Sequence, residues 1–416
     1  MRRDESWRLV AWTSAAKIYW VLATLVTAAI TARFLGPAGR GVLVAAIGWV
    51  TMFSTFGFLS LSQVVVFLAA GKEPDAWLPR VLGSMIAIAV TVALLGSILA
   101  AALYFATGGK LFHHIPAMTL LIAFVAFPFM LWIENGNGVL MALGKLPVLN
   151  GAQVAGGTAA LLLTFLAVGP LRLGINGAVG AWALAQGVIV LISLTYAIRR
   201  ARTLVIDRAA LRDLLGGGAK LHLNAIGTYL FTQANILILN HYRTANETAW
   251  FQLAVQIITA IQIIPMAVST VAYTMVSKHG PDGAWPQQRK LLVEVVVLVI
   301  ALGVIAYFVS PWVVPFVFGR DFAPAIPILR ILLLSIPGIA LSSVMASQWI
   351  SRGLFVQAAG ITLMTGALTV LGNYMFVPSF GMRGAAWVTV GTWVLSIIGN
   401  GGMILWVQSQ WRAHAG

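Results

Sequence analysis

Residues 17–41 read KIYWVLATLVTAAITARFLGPAGRG. This stretch is an apolar run that begins with a lysine and ends in a turn rich in glycine and arginine. About 20 apolar residues suffice for a helix to cross a membrane. The stretch therefore predicts most of a membrane span, with a cation inside the span at Lys17 and two more in the turn at its exit, Arg33 and Arg40.

The composition extends this interpretation to the whole chain. Hydrophobic residues make up 60% of the 416 positions and charged residues only 9%, whereas a soluble domain carries about 25% charged residues. We therefore predict an all-α polytopic membrane protein. The first apolar segment is too long for a signal peptide and lacks a small-residue cleavage site, so we interpret it as an uncleaved span. The chain has no cysteine, which excludes disulfide and thiolate chemistry.

The apolar runs divide into twelve predicted spans, six in each half of the chain. Their boundaries are about 9–32, 42–69, 81–106, 117–142, 149–169, 175–198, 219–241, 247–275, 291–313, 324–350, 355–377 and 384–407. The longest connection lies in the middle. We therefore predict an N-terminal six-helix bundle at 1–198, a cytoplasmic linker with an amphipathic helix at 199–218, and a C-terminal six-helix bundle at 219–416.

Basic residues predict the orientation. Lysine and arginine total 26 against 11 acids, and most of those outside the spans fall in loops on the side of the N-terminus. By the positive-inside rule, both termini are expected in the cytoplasm. The linker mixes leucines with arginines and aspartates, which suits a helix on an anionic leaflet; a solvated loop is the alternative. Its glycines, 216–218, are expected to release the chain into the seventh span.

Two pairs of segments match between the halves. Residues 128–144 and 337–353 both begin with proline and end with glycine, 209 positions apart. Residues 174–178 and 381–385 match at a spacing of 207. Six spans per copy make both copies enter the membrane in the same sense. The pattern therefore predicts a parallel repeat, an arrangement used in transport by alternating access.

Three prolines fall in the middle of predicted spans. Pro128 and Pro337 occupy equivalent places in the two repeats, and Pro265 lies in the eighth span. Proline removes a backbone donor and kinks a helix, so we predict hinges at all three positions. The alternative is that these prolines are simply tolerated, as many are in membrane helices.

Three charged residues stand out within the predicted spans, because a charged residue in the membrane costs at least ~2.5–3.5 kcal/mol. Lys17 is about 12 Å into the first span and Glu134 reaches a similar depth in the fourth. Lys17 suits an anionic substrate, and Glu134 and Asn135 are further candidate substrate contacts. Glu134 also suits a proton or sodium site. The two could instead form a structural ion pair, and Lys17 could snorkel. Arg330 is a further candidate substrate contact that lies shallow enough to snorkel.

Amides line the seventh and eighth spans. Among them, Asn235 is the candidate substrate contact. The alternative is that these amides only join helices by hydrogen bonds. The sequence contains no P-loop, no metal-ligand spacing and no nucleophile elbow. We therefore predict a protein that is not an enzyme and that uses neither a metal nor a cofactor.

Three segments resemble a known family. They are ARFLGPAGRGVLVAA at 32–46, NILILNHYRTANETAWFQLAVQI at 235–257 and PFVFGRDFAPAIPILRILLLS at 315–335. They resemble polysaccharide-export flippases, which move undecaprenyl-pyrophosphate-linked O-antigen units and belong to the multidrug/oligosaccharidyl-lipid/polysaccharide exporter superfamily. That family often carries an aspartate near the start of the second segment, where this chain has Asn235.

The resemblance implies a flippase of the bacterial inner membrane for precursors of O-antigen, capsule or exopolysaccharide. Lys17 and Arg33 would then meet the pyrophosphate of a lipid-linked glycan. The implied partners are this substrate, the phospholipid bilayer and the polymerase or glycosyltransferases of the pathway, with no nucleic acid. A cation-coupled multidrug exporter is one alternative, although the basic Lys17 disfavours it. A membrane glycosyltransferase or polysaccharide polymerase is another, although such enzymes usually have a larger outer loop.

Overall fold

The structure, a computed structural model, describes the backbone of residues 3–415 and the side chains of that range outside 3–11, Lys220, Phe355, Gln408 and 410–415. This part of the chain is helical with no strand. Its α-helices are α1 Arg3–Gly57, α2 Leu61–Ala69, α3 Pro74–Ala106, α4 Ala117–Phe124, α5 Phe127–Ala142, α6 Leu146–Val168, α7 Gly174–Ala201, α8 Arg208–Thr232, α9 Ala234–Tyr242, α10 Ala245–Ile261, α11 Ile263–Phe318, α12 Ala325–Leu332, α13 Ile336–Ser351 and α14 Phe355–Ala415. Short 3₁₀ helices cover Lys110–Phe112, Arg320–Phe322 and Leu333–Ser335.

The number of membrane passes follows from breaks inside the longest helices. Eight stretches in the described part are long and apolar enough to cross a membrane. Three of these stretches contain a glycine with non-helical dihedral angles, at Gly36, Gly280 and Gly381, so each holds two passes. Helices α8 and α9 together supply one more. The described part thus accommodates the twelve spans that the sequence predicts.

The internal repeat extends to the lengths of the helices. α4 and α5 contain 8 and 16 residues, and α12 and α13 also contain 8 and 16. A three-residue 3₁₀ helix precedes each pair. Gly71 and Gly280 have φ angles of 70° and 71°, in the left-handed region that glycine adopts without steric cost. Gly144 and Gly353 repeat this with φ of 67° and 71°. Helix boundaries and turn conformations are therefore duplicated together.

The starts of α3 and of the second part of α11 also match each other, a similarity that was not predicted from the sequence. Pro74 and Asp75 start the first of these helices, and Pro281 and Asp282 follow the break in the second. Each aspartate forms an ion pair with an arginine at the end of another helix. Asp75 pairs with Arg200 at 2.6 Å, and Asp282 pairs with Arg352. The partners lie on non-equivalent helices, α7 and α13.

The chain forms two compact units. The first comprises 1–229 and 244–249, and the second comprises 230–243 and 250–416. In the first, the core gathers apolar side chains of α2, α3, α5 and α7 together with Leu214 of α8. In the second, Met345 and Trp349 of α13 pack with Met403 of α14. Each unit therefore has a core of its own.

The three linker glycines do not release the chain, contrary to expectation. They lie inside α8, which runs unbroken from Arg208 to Thr232. A Cβ at Gly218 would overlap the carbonyl oxygen of Leu59, and one at Gly217 would lie 3.0 Å from Val64. The small size of Gly217 and Gly218 lets α8 approach the break between α1 and α2, whereas a Cβ at Gly216 would meet no atom within 4 Å.

Candidate functional site

Lys17 lies on a polar flank of α1. The buried face of α1 packs on α6, where the Tyr19 hydroxyl hydrogen-bonds with Thr158 at 2.6 Å. Lys17 is exposed together with Ser14 and Thr24, which lie on one side of that buried face. Three exposed apolar residues occupy the other side: Ile18, Leu22 and Val26. Because lipid suits only the apolar flank, the polar flank is the one suited to a water-filled path.

Lys17 and Glu134 do not form the structural pair that the sequence left open. Both side chains are exposed, and no ion pair or hydrogen bond joins either of them to a residue that the structure describes. Lys17 therefore offers an ammonium group, and Glu134 a carboxyl group, to whatever occupies the space beside them.

A close helix contact positions Glu134 on α5. A Cβ at Gly138, one turn further on, would lie 2.5 Å from the Ser62 Cα, so α5 and α2 touch backbone to backbone. The next residue, Asn135, is buried, with 3% exposure. Within the described residues, its Oδ1 has no hydrogen-bond partner. Leaving such a group unsatisfied costs about 1–3 kcal/mol, which makes this oxygen available to a water or a cation.

The turn that ends the first span differs from the sequence prediction at Arg40. Arg33 is exposed at the exit, and the ring of Phe34 beside it meets Phe165 edge to face at 6.3 Å between centroids. The helix breaks only at Gly36, and Pro37 starts the next helical segment at once. Arg40 therefore lies in a helix and is buried, with 1% exposure, rather than in a loop.

Asn235 of α9 connects two helices of the second unit. Its Nδ2 donates to the Thr389 hydroxyl of α14 at 3.3 Å, and the residue is 2% exposed. The Oδ1 atom has no partner among the described residues. The observed contact is a helix-joining hydrogen bond, one of the two roles that the sequence left open.

Arg330 of α12 is held by α11. Its Nε and Nη2 both donate to the carbonyl of Tyr307 at 3.3 Å, and its guanidinium lies 4.3 Å from the centre of the Tyr307 ring. A cation–π contact of this kind is worth about 0.5–2 kcal/mol. Arg330 thus joins two helices of the second unit.

All three predicted hinge prolines lie in the first turn of a helix that follows a break. Pro128 and Pro337 start α5 and α13 within spans four and ten. Pro265 lies in the first turn of α11, just after α10 ends. A proline there forfeits no intrahelical hydrogen bond, because the first turn has no acceptor for it. The helix breaks coincide with the prolines, and bending at them stays a prediction.

Two further observations concern ligand sites. The described residues contain no group of three or more His, Cys, Asp or Glu that could hold a metal ion. The first unit has an apolar cavity of 480 Å³ beside Pro128, between α3, α5 and α7, lined by residues that include Leu94, Phe129 and Trp132. Hydropathy does not predict this cavity, because it gives no information on how helices are spaced.

Three solved structures of transport proteins have a fold similar to that of this chain. A lipid II flippase, MurJ in an inward closed conformation, superposes with a TM-score of 0.80 at 14% identity, covering 94% of this chain and 87% of that one. An inward-facing MATE family multidrug resistance transporter of the MOP superfamily gives 0.68 at 16% identity, covering 97% and 94%. A MOP superfamily transporter from Pyrococcus furiosus, described as having a binding pocket of reverse polarity, gives 0.59 at 16%, covering 98% of both. The chain thus has the fold of the MOP superfamily.

The family is shown by a match between this sequence and a protein-family model. Residues 6–280 match the model of the polysaccharide biosynthesis proteins, and the chain belongs to this family. A comparison with curated protein sequences found no match. The predicted fold class, an all-α polytopic membrane protein with about twelve spans in two parallel repeats of six, is confirmed, as is the family resemblance.

Proposed function

We propose that this protein is a flippase that moves an undecaprenyl-pyrophosphate-linked oligosaccharide from the cytoplasmic to the outer leaflet by alternating access. The glycan would serve O-antigen, capsule or exopolysaccharide synthesis. The observation that carries the proposal is the exposed Lys17 ammonium on the polar flank of α1, without an anionic partner among the described residues. A pyrophosphate is the anion that this substrate class would bring to it.

The other candidate residues take roles around this contact. Arg33, at the exit of the same span, would receive the pyrophosphate after Lys17. Asn135 and Asn235 carry buried amide oxygens suited to hydroxyl or cation contacts. Arg330 remains a candidate substrate contact, although its observed partner is Tyr307. Bending at the breaks beside Pro128, Pro265 and Pro337 would supply the conformational change.

The proposed setting is the bacterial inner membrane, with both termini in the cytoplasm. This orientation is supported by the excess of lysine and arginine in the loops on the side of the N-terminus. The partners would be the bilayer, the lipid-linked glycan and, in the same pathway, a polymerase or glycosyltransferases.

A second candidate is a cation-coupled multidrug exporter, because the fold also matches MATE family transporters. That function requires an acidic surface for cationic drugs. The exposed cations Lys17 and Arg33 favour an anionic substrate over it.

The test is transport by the purified full chain in proteoliposomes. Three fluorescent probes are compared: an undecaprenyl-pyrophosphate oligosaccharide, the undecaprenyl monophosphate without sugar, and the lipophilic cation ethidium. We expect protein-dependent flipping of the first probe at least ten times faster than of the second, and no accumulation of ethidium. Accumulation of ethidium without flipping of the glycan would instead identify a multidrug exporter. If no probe moves faster than in protein-free liposomes, both candidate functions are contradicted.

Glu134 gives the first residue-level prediction. Replacing it by glutamine keeps size and hydrogen bonding but removes the titratable group, so we expect flipping to lose its dependence on pH or on sodium. Initial flipping rates from pH 5.5 to 8.5, with and without sodium, measure this. The matched control is Glu294→Gln, an exposed carboxylate on α11 that pairs with Lys290 at 3.9 Å. If both variants keep the wild-type profile, Glu134 is no coupling site.

A further inference from the structure

The segment between α7 and α8 is a non-helical strap bound to α3. The Val205 amide donates to the Pro79 carbonyl at 3.0 Å. Ser84 binds the backbone of Asp207 twice, accepting from its amide at 3.1 Å and donating to its carbonyl at 3.3 Å. A Cβ at Gly83 would lie 2.5 Å from the Val205 carbonyl oxygen, so the strap touches the α3 backbone. We call residues 203–207 the linker strap; its conformation is fixed by α3.

The linker strap exposes three consecutive apolar side chains. Leu204, Val205 and Ile206 are 46%, 45% and 66% exposed, because the backbone of the strap, rather than its side chains, faces α3. The backbone of the strap is hydrogen-bonded to α3, and its three adjacent aliphatic side chains point outward. They form a surface suited to an apolar environment.

Five arginines lie within five residues of the linker strap or next to its contact at Pro79. Arg80, Arg199, Arg202, Arg208 and Arg212 are exposed, and none has an ion pair or hydrogen bond to a residue that the structure describes. Arg200 is the exception, since it pairs with Asp75. Of the nearby acids, Asp207 accepts from the Ala209 amide at 3.2 Å and so caps α8, and Asp213 is exposed beside Arg212, so two aspartates face five arginines. The surface therefore carries a net positive charge with free guanidinium groups beside exposed hydrocarbon.

The position of the strap along α3 places it at a membrane interface. α3 has 33 residues and is thus about 50 Å long, roughly 20 Å longer than the hydrocarbon core. The strap contacts span Pro79 to Ser84, roughly 8–15 Å from the start of α3. The predicted third span, 81–106, begins within this stretch, so the strap lies where the hydrocarbon core starts.

We propose that the linker strap and its arginines form a binding surface for anionic phospholipids of the adjacent leaflet. Arginine guanidinium groups bind phosphate oxygens in a bidentate manner, and the free arginines flank the apolar residues. Leu204, Val205 and Ile206 would contact the acyl chains, as amphipathic membrane-surface segments do. The occupant is a phospholipid because a free phosphate would leave the apolar residues in water.

The test uses native mass spectrometry of the full chain, titrated with phosphatidylglycerol, phosphatidylcholine or glycerol phosphate. The variant Arg202→Gln/Arg212→Gln should bind phosphatidylglycerol roughly 30-fold more weakly, at about fivefold per arginine. The control Lys278→Gln/Arg289→Gln removes the same charge from exposed positions of α11 and should change affinity less than threefold. Leu204→Ser/Ile206→Ser, at unchanged charge, should weaken phosphatidylglycerol binding roughly tenfold.

Three outcomes would overturn the proposal. Equal affinity for phosphatidylcholine would show that the surface does not select anionic lipid. An equal loss in the control pair would show a general effect of net charge. Competition by glycerol phosphate as effective as that by phosphatidylglycerol would show a phosphate site without a lipid surface. The sites of the two charge-removing variants, Arg202, Arg212, Lys278 and Arg289, are all exposed. Unchanged melting temperatures would confirm that both variants fold.

Discussion

Gly41→Ala is expected to destabilise the protein by about 3 kcal/mol or more, among the largest effects of a single methyl group. A Cβ at this position would overlap the carbonyl oxygen of Ala245 and lie 2.5 Å from its carbonyl carbon and 2.9 Å from its Cα. Carbon atoms in contact prefer about 3.5–4.0 Å. The obstructing atoms are backbone atoms at the start of α10, so no side-chain rotation relieves the clash. The residue before Gly41 is the buried Arg40, which also restricts movement of α1.

The measurement is the melting temperature of the purified protein in detergent, together with the folded fraction from gel filtration. The control is Gly151→Ala in α6, where no atom lies within 4 Å of the added Cβ. Alanine is favoured over glycine inside a helix by about 0.5–1 kcal/mol, so this control should melt at the same temperature or higher. Equal melting temperatures for the two variants would contradict the close contact at Gly41.

The sequence predicted the spans well because apolar run length does not depend on how helices pack. The helix breaks at Pro128 and Pro337 could also be predicted from the sequence, because a proline lacks the N–H that a helical hydrogen bond needs. Gly36 shows the limit of this approach. The turn at 33–41 resembles a loop, yet a single glycine breaks the helix and Pro37 restarts it. Arg40 was therefore placed in a loop, whereas it lies buried in a helix.

Contacts between distant segments explain the other differences. The glycines of α8 were expected to loosen the chain, but contact with Leu59 and Val64 requires small residues in a continuous helix. Sequence gives the depth of Lys17 and Glu134 but not the direction in which each side chain points, so an ion pair between them was a reasonable alternative. In the same way, nothing in the sequence placed Tyr307 beneath Arg330.

Lys17→Ala is expected to lower the flipping rate of a pyrophosphate-linked glycan by roughly 10–100-fold. A hydrogen bond to a charged group contributes about 1.5–3 kcal/mol, and a factor of ten corresponds to about 1.4 kcal/mol. The effect on stability should be small, because the Lys17 side chain is exposed and makes no ion pair or hydrogen bond in the described part of the chain. The measurements are the initial flipping rate and the amount of folded protein in the membrane.

Two further variants separate the charge of Lys17 from its place in the chain. Lys17→Arg keeps the cation and should retain most of the activity, although its wider guanidinium changes the geometry. Lys278→Ala removes an exposed lysine near the Gly280 break, and this variant should flip the substrate at the wild-type rate. If Lys17→Ala flips as fast as Lys278→Ala, the pyrophosphate contact is elsewhere. If Lys17→Ala is slow while Lys17→Arg is active, the substrate requires a cation on the polar flank of α1. One anionic headgroup needs one such contact, which explains why the second repeat has no lysine at the equivalent place, near Ala225.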